Sequence, residues 1–326
     1  MSEYAPVLVS VYHRLYTLKR CIEALRNNVE AVQTDLFIVS DGAARKTDED
    51  RVSNVRKYVD EISGFKSVTL IARPENWGAN RSVMGAIEDL LRKFGRLIFM
   101  EDDILPSIHY LEYMNRGLDF YDENPQVFAI CGYKSCFKLP KKYKYDLFAL
   151  NRYSPWGVGF WADKYFSVDH GSRNRYDELK VNKPELFEFY QTNDPSFLGI
   201  LKADSEGRIK AADVRIETDL IYSGQVCIYP RNTMTYVQDT TGDSMHGGGM
   251  WMWENIRPDF RPKDFGNIPL EVDGEIYRRF LRSKYPSLWM RFVFALKHRG
   301  IGFVVQYYSR RVLHRHNTRY QKVGAE

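Results

Sequence analysis

At 326 residues, with 44% apolar and 27% charged side chains, the chain has the composition of an ordinary soluble globular protein, long enough for one large domain or two small ones. A net charge of +5 is too small to make the whole surface a nucleic-acid footprint, and no segment reaches the length of a membrane span. Four cysteines, Cys21, Cys131, Cys136 and Cys227, form no CxxC pair, which argues against a disulfide framework or a zinc site and for reduced cytoplasmic thiols. The opening segment MSEYAPVLVSVYH has no basic region followed by a long apolar stretch, so a chain without a signal peptide is expected.

In chain order, Pro6 to Tyr12 (PVLVSVY) predicts a buried first strand with His13 and Arg14 at its end. Leu18, Ile22 and Leu25 then repeat at helical spacing within Leu15 to Asn27. Asp35 to Asp41 (DLFIVSD) predicts a second strand. An acid at the end of a second parallel strand is placed to accept hydrogen bonds from a nucleoside. Asp41-Gly42 equally suits a turn or a helix cap. A charged helix over Asp48 to Ile62 and a strand over Val68 to Ala72 follow. In RPENWGANRSVMGAIEDLLRKFG, Asn76, Gly78, Asn80 and Ser82 mark a loop and a helix start, and the helix runs to Phe94. Arg73 and Arg81 flank that loop and read either as diphosphate contacts or as surface arginines.

Leu97 to Met100 (LIFM), bounded by Gly95 and Pro106, predicts a strand buried on both faces. Glu101, Asp102 and Asp103 follow at once. Clustered hard oxygen donors at the rim of a sheet suit Mg²⁺ or Mn²⁺, which would hold phosphates; a solvated acidic turn is the plain alternative. Four strands alternating with helices predict a parallel, mostly doubly wound sheet.

Past Pro106, HYLEYMNRGLDFYDENP is helical up to Asn124-Pro125, and Val127 to Gly132 is a further buried strand. Tyr153 to Trp161 (YSPWGVGFW) reads as a loop that brings rings and backbone to a ligand, or as an apolar plug. Asp194 to Ala212 begins as a helix. Asp213 to Tyr222 carries Asp213, Glu217 and Asp219, the first two on one helical face. Gly224 to Pro230 is a strand and Thr233 to Val237 an extended piece. His246 lies in the glycine-rich DTTGDSMHGGG, a loop that closes over a metal or phosphate or else simply covers the surface. From Tyr277 onward arginines and lysines alternate with Trp, Phe and Leu. This reads as an amphipathic segment for anionic lipid heads, or as helices packed on the rest of the chain. No recognised nucleic-acid module accompanies the charge.

The ordered set PVLVSVYHR, IVSDG, RPENWGANRS and LIFMEDD resembles the nucleotide-sugar-dependent glycosyltransferases of the GT-A fold, close to glycosyltransferase family 2. The EDD triplet, GQVCIYPRNTMTYV and the His246 loop are together similar to N-acetylglucosaminyltransferase I and its bacterial relatives, over roughly the first four-fifths of the chain. The resemblance implies an α/β fold, a GT-A (Rossmann-like), mostly parallel sheet flanked by helices, with a basic helical C-terminal extension. Residues 1–274 would be the catalytic domain, with a nucleotide-sugar half at about 1–105 and an acceptor half at about 106–274; residues 275–326 would be the basic amphipathic segment.

Carried over residue by residue, the resemblance makes Asp103 the direct metal ligand, with Asp102 facing the ribose and Glu101 the sugar. Val11, Tyr12 and Arg14 would border the nucleotide, Asp41 would lie near uracil or ribose, and Asn76 and Arg81 would line the donor site. His246 would lie near the diphosphate and the metal. Asp213 stands where the family's catalytic base is expected, but Ala212 replaces the tryptophan that should precede it, so Glu217 and Asp219 remain alternatives. The implied activity is inverting transfer, dependent on Mn²⁺ or Mg²⁺, from a UDP-sugar (UDP-GlcNAc, or UDP-Gal/Glc) to a glycan or lipid-linked acceptor in surface polysaccharide synthesis. Peripheral contact with an anionic membrane on the cytoplasmic side and no nucleic-acid partner are expected. An inverting transfer needs one carboxylate base and no enzyme nucleophile, in keeping with the lack of a Ser/His/Asp arrangement. Two rivals are a binding module with a degenerate site and a nucleotidyltransferase, for which VYHRLYTLKR lacks the glycines after the first strand.

Overall fold

The valine- and isoleucine-rich runs pair edge to edge. In the computed structural model, which describes residues 4–168, 176–179, 181–182, 195–238 and 259–284, the strands are Val7–Val11 (β1), Asp35–Ser40 (β2), Ser67–Ala72 (β3), Arg96–Glu101 (β4), Ile104–Pro106 (β5), Val127–Cys131 (β6), Leu147–Leu150 (β7), Val158–Trp161 (β8), Val226–Pro230 (β9) and Thr235–Val237 (β10). The helices are Leu15–Arg26 (α1), Glu49–Val59 (α2), Ala79–Phe94 (α3), Tyr110–Phe120 (α4), Ala162–Phe166 (α5), Tyr176–Leu179 (α6), Pro195–Ser205 (α7), Ala212–Ser223 (α8) and Gly274–Lys284 (α9). By its contacts the chain divides into two units, residues 1–170 with 216–277 and residues 171–215 with 278–326.

The first unit is built on an eight-stranded sheet of order β3-β2-β1-β4-β8-β6-β9-β7. Strands β1, β2, β3, β4, β6 and β9 run one way; β8 and β7 run against their neighbours. This is the expected mostly parallel α/β sheet. The chain steps outward from β1 to β3 through α1 and α2, then returns through α3 to place β4 on the other side of β1. Strand order therefore reverses between β1 and β4, the point where open α/β sheets leave a crevice at the strands' carboxyl ends. Each helix lays an apolar stripe on the sheet: Leu18, Cys21, Ile22 and Leu25 of α1, Ala86, Ile87, Leu90 and Leu91 of α3, and Leu111, Met114 and Leu118 of α4 are all buried. Gly95, with φ +75°, ends α3 in the left-handed region, so β4 starts immediately after the helix.

Three short strands escape the sequence pattern. Val158–Trp161 belongs not to a loop but to β8, slotted antiparallel between β4 and β6 with all four residues buried. Its aromatic richness is core packing, and Gly159 lets Leu118 approach to 3.2 Å of where a Cβ would stand. β5 and β7 are runs of three and four residues, too short for periodicity to register. His246 and the segment 239–258 lie outside the described residues, as do residues 285–326 of the basic segment; its described start, up to Lys284, lies in α9. Among the described residues no helix is long and apolar enough to cross a membrane.

In the second unit Tyr176 and Leu179 of α6 are buried, and α6 packs on α7. Asp204, at the end of α7, accepts Arg215 Nε at 2.6 Å and the Ala211 amide at 3.0 Å.

The turn after β2 is where backbone approaches backbone. A Cβ on Gly42 would stand 2.3 Å from the carbonyl carbon of Glu75. Gly42→Ala is therefore expected to lower stability by about 1–3 kcal/mol, read as a reduced urea midpoint with an unchanged slope.

Candidate active site

The carboxyl rim of the sheet gathers most of the residues singled out in the sequence. Ser10 of β1 pairs with Glu101 of β4, and the Asp102 amide donates to the Ser10 carbonyl at 3.0 Å. The ladder thus delivers Asp102 and Asp103 directly beside the turn Tyr12–Arg14. Both carboxylates are nearly buried, at 3% and 7% exposure. Arg14 compensates them. Its Nε donates to Asp102 Oδ2 at 3.0 Å, Nη2 bonds Asp102 Oδ1, and Nη1 lies 2.9 Å from Asp103 Oδ2. The Thr17 hydroxyl, 2.7 Å from Asp102 Oδ2 and 2.9 Å from the Arg14 carbonyl, has one proton to share between them.

Burial, the largest influence, pushes Asp102 above its ordinary pKa, against the pull of Arg14 and Thr17. Burial also acts to lower Arg14, but the Asp102 and Asp103 charges outweigh it and hold the guanidinium pKa up. The physical picture is an ion pair sustained by its own mutual attraction in a site that would otherwise disfavour both charges.

A second cluster forms after β2 and β3. Asp41 Oδ1 accepts the Gly42 amide at 3.0 Å and the Trp77 amide at 2.9 Å, leaving Oδ2 without a hydrogen-bond partner among the described residues. Asn76 Nδ2 donates to the Gly42 carbonyl at 2.8 Å. Two guanidinium groups lie over the Trp77 ring, Arg73 at 4.3 Å and Arg81 at 4.5 Å from the ring centre. Arg73 is buried and bonds Ser82, so it ties the loop to α3; Arg81 is exposed. Tyr12 joins the turns after β1 and β2: its hydroxyl donates to Asp48 Oδ2 at 2.9 Å and accepts the Ala44 amide at 2.7 Å. Val11, the last residue of β1, is buried at this rim, and Glu101 is half-buried.

Thr17, Trp77 and Gln238 escaped the sequence reading. Thr17 sits three residues after Arg14, a spacing that could have marked it. Gln238 had no such signal. It follows β10, its amide donates to the Asp103 carbonyl at 2.7 Å, and its Nε2 reaches the Thr17 carbonyl across 221 positions of sequence.

The candidate bases part company. Asp213 opens α8 and belongs to the second unit. Glu217, one turn later, belongs to the first unit and accepts the Tyr153 amide at 3.2 Å and Arg152 Nη1 at 3.4 Å. Arg152 is 2% exposed and also donates to Tyr277 Oη at 2.7 Å. Glu217 is thus the counter-charge of a buried arginine.

For a divalent cation, no three His, Cys, Asp or Glu side chains converge among the described residues. Asp103 Oδ1 accepts no hydrogen bond among them and is a hard oxygen at the rim. That suits Mg²⁺ or Mn²⁺ when phosphate oxygens and water complete the shell.

Residues 7–189 match the family described as Glycosyl transferase family 2. No curated protein matches the chain by sequence. Among solved structures, S. aureus TarS is 13% identical with a TM-score of 0.35, over 51% of this chain and 29% of that one. A TarS structure of residues 1–349 is 11% identical with a TM-score of 0.38, over 72% of this chain and 60% of that one. The mannosyltransferase PcManGT from Pyrobaculum calidifontis, in complex with GDP-Man and Mn²⁺, is 12% identical with a TM-score of 0.33, over 68% of this chain and 74% of that one. The chain therefore spans under a third of the length of the first of these.

Arg152→Met removes one side of the buried pair with Glu217 and is expected to cost about 3 kcal/mol or more in urea unfolding. Glu217→Gln, which still accepts from Tyr153, removes the counter-charge of the more deeply buried Arg152 and is expected to cost at least as much.

Proposed function

Because the chain belongs to glycosyl transferase family 2, we propose that it is a glycosyltransferase that transfers a sugar with inversion from a UDP-sugar, with Mn²⁺ or Mg²⁺ bound, to a hydroxyl of a glycan or lipid-linked acceptor. The observation that supports this reading most is the convergence, where strand order reverses, of Tyr12 and Arg14 with Asp102 and Asp103. Residues 1–274 would form the catalytic part, with the nucleotide on the β1–β4 side.

In this reading Asp41 Oδ2 accepts from uracil or ribose, and Asn76 holds the turn that carries it. Asp102, fixed by Arg14 and Thr17, faces the ribose, with Val11 and Tyr12 bordering the nucleotide and Glu101 the sugar. Asp103 Oδ1 would hold the cation, with His246 as a second ligand. When bound, the cation supplies Lewis-acid neutralisation of charge on the departing diphosphate. Arg14 and Arg81 add fixed positive charge around the same group. Asp213 takes the acceptor proton as base. Glu217 is the weaker candidate because Arg152 and Tyr153 already engage both its oxygens. The similarity of the EDD triplet and the GQVCIYP segment to N-acetylglucosaminyltransferase I favours UDP-GlcNAc, with UDP-Gal and UDP-Glc next. The basic residues 275–326 would bring the enzyme to an anionic membrane surface that carries the acceptor, on its cytoplasmic side.

Thermal unfolding with UDP- and GDP-sugars, each with and without Mn²⁺, tests the donor. The right nucleotide at about 100 times its Kd stabilises by about 2.7 kcal/mol, and the shift should require Mn²⁺ and vanish in Asp103→Ala. No shift with any nucleotide sinks the reading. For the base, Asp213→Ala should lower kcat by about 10²–10⁴-fold while Glu217→Gln keeps it within about threefold; the reverse order would move the role to Glu217.

A further inference from the structure

The two buried carboxylates are not held alike. Asp102 has three partners: Arg14 Nε at 3.0 Å, Arg14 Nη2, and the Thr17 hydroxyl at 2.7 Å. The Asp103 side chain has a single partner among the described residues, Arg14 Nη1 at 2.9 Å from Oδ2. All three guanidinium nitrogens are thereby engaged, two with Asp102 and one with Asp103. Losing the Nη1 contact would leave the bidentate fork on Asp102 intact, so Arg14 would stay in place with one donor edge free. A divalent cation on Asp103 and a guanidinium on the same carboxylate are like charges competing for one anion. The cation can displace the contact only where other negative charge takes up the positive charge that remains.

We propose that Arg14 is a placeholder on Asp103 that couples cation binding to diphosphate binding. Without nucleotide, Nη1 neutralises Asp103 and keeps the cation site weak. When a nucleoside diphosphate arrives with the cation, Asp103 passes to the cation and Nη1 passes to a diphosphate oxygen, while Asp102 keeps its fork. Cation and nucleotide then bind as a pair. No covalent bond forms or breaks in the exchange; one ion contact is traded for another. The inference rests on the proposed cation- and nucleotide-dependent donor site and gives that site its order of assembly. Arg14 here is a positioning residue, and its signature is a coupling between two ligands rather than a rate.

The test is Mn²⁺ binding followed by the electron paramagnetic resonance of free Mn²⁺, with no acceptor present. It is run alone, with saturating UDP and with saturating GDP, on the full chain and on Arg14→Gln and Arg14→Lys. In the unaltered protein the effective nucleotide should tighten Mn²⁺ at least about tenfold, within the usual range of coupling between sites. Arg14→Gln should bind Mn²⁺ alone about tenfold more tightly than the unaltered protein, a difference of about 1.4 kcal/mol, and should gain less than about threefold from nucleotide. Arg14→Lys keeps the charge but not the fork. It should bind Mn²⁺ alone as weakly as the unaltered protein and gain less from nucleotide, and this decides the matter if the Gln variant fails to fold by circular dichroism. Unchanged Mn²⁺ affinity and coupling in either variant overturns the placeholder while leaving the donor site standing. If the unaltered protein binds no Mn²⁺ with either nucleotide, the donor reading itself falls, and the placeholder with it.

Discussion

Two adjacent carboxylates, nearly buried at the end of a central strand, are the constraint around which the rim is built. Isolated, each would be expensive to keep ionised. The structure compensates them with one side chain, Arg14, whose planar fork reaches both. That solution fixes several other features. Arg14 must stand at the first turn of α1, with its carbonyl accepting the Leu18 amide at 3.1 Å. Thr17, in that same first turn, must face Asp102. β1 must lie directly against β4, which the 3-2-1-4 strand order enforces. Gln238 closes the arrangement from β10, binding the backbone of Asp103 and of Thr17 together.

The opposite half of the sheet is governed by β8. Because it runs against β4 and β6, its first residue Val158 lies beside Phe99, so the loop that feeds it emerges at the same rim as Asp102 and Asp103. Gly157, with φ +83°, makes that entry, and a Cβ there would stand 2.7 Å from Thr235 Cγ2. Trp156, just before it, packs edge-on to Tyr133 with ring centres 4.6 Å apart. One antiparallel strand thus sets aromatic side chains and the carboxylates on one edge of the sheet. A loop reading of YSPWGVGFW would have found the residues but not this reason for their position.

Glu217 illustrates how a carboxylate in the right stretch of sequence acquires a structural task. Spacing put Asp213 and Glu217 on one helical face, and α8 does form. Their surroundings separate them. Arg152, carried by the loop after β7, is buried beneath Tyr229, whose hydroxyl donates to its carbonyl at 2.9 Å, and it needs a counter-charge. Glu217 supplies it, 65 positions away in sequence.

The sequence by itself determined the elements whose signals are local. β1, β2, β4, β6 and β9 are mainly apolar buried runs, and α1 and α3 carry apolar residues at helical spacing, because burial on both faces or on one stripe imposes those patterns directly; the edge strand β3 is more exposed and shows itself by Val68, Leu70 and Ile71. The order of motifs also placed Tyr12, Arg14, Asp41 and the EDD triplet at strand ends, since a rim residue is simply the first polar residue after a buried strand. Tertiary structure alone decided what those residues do to one another. The neutralisation of Asp102 and Asp103 by Arg14, the contact of Trp77 with Arg73 and Arg81, the closure by Gln238 and the capture of Glu217 by Arg152 all join residues through space. Short strands such as β5, β7 and β8 belong to the same class. At three or four residues they have too little pattern of their own, and only the partners on either side make them strands.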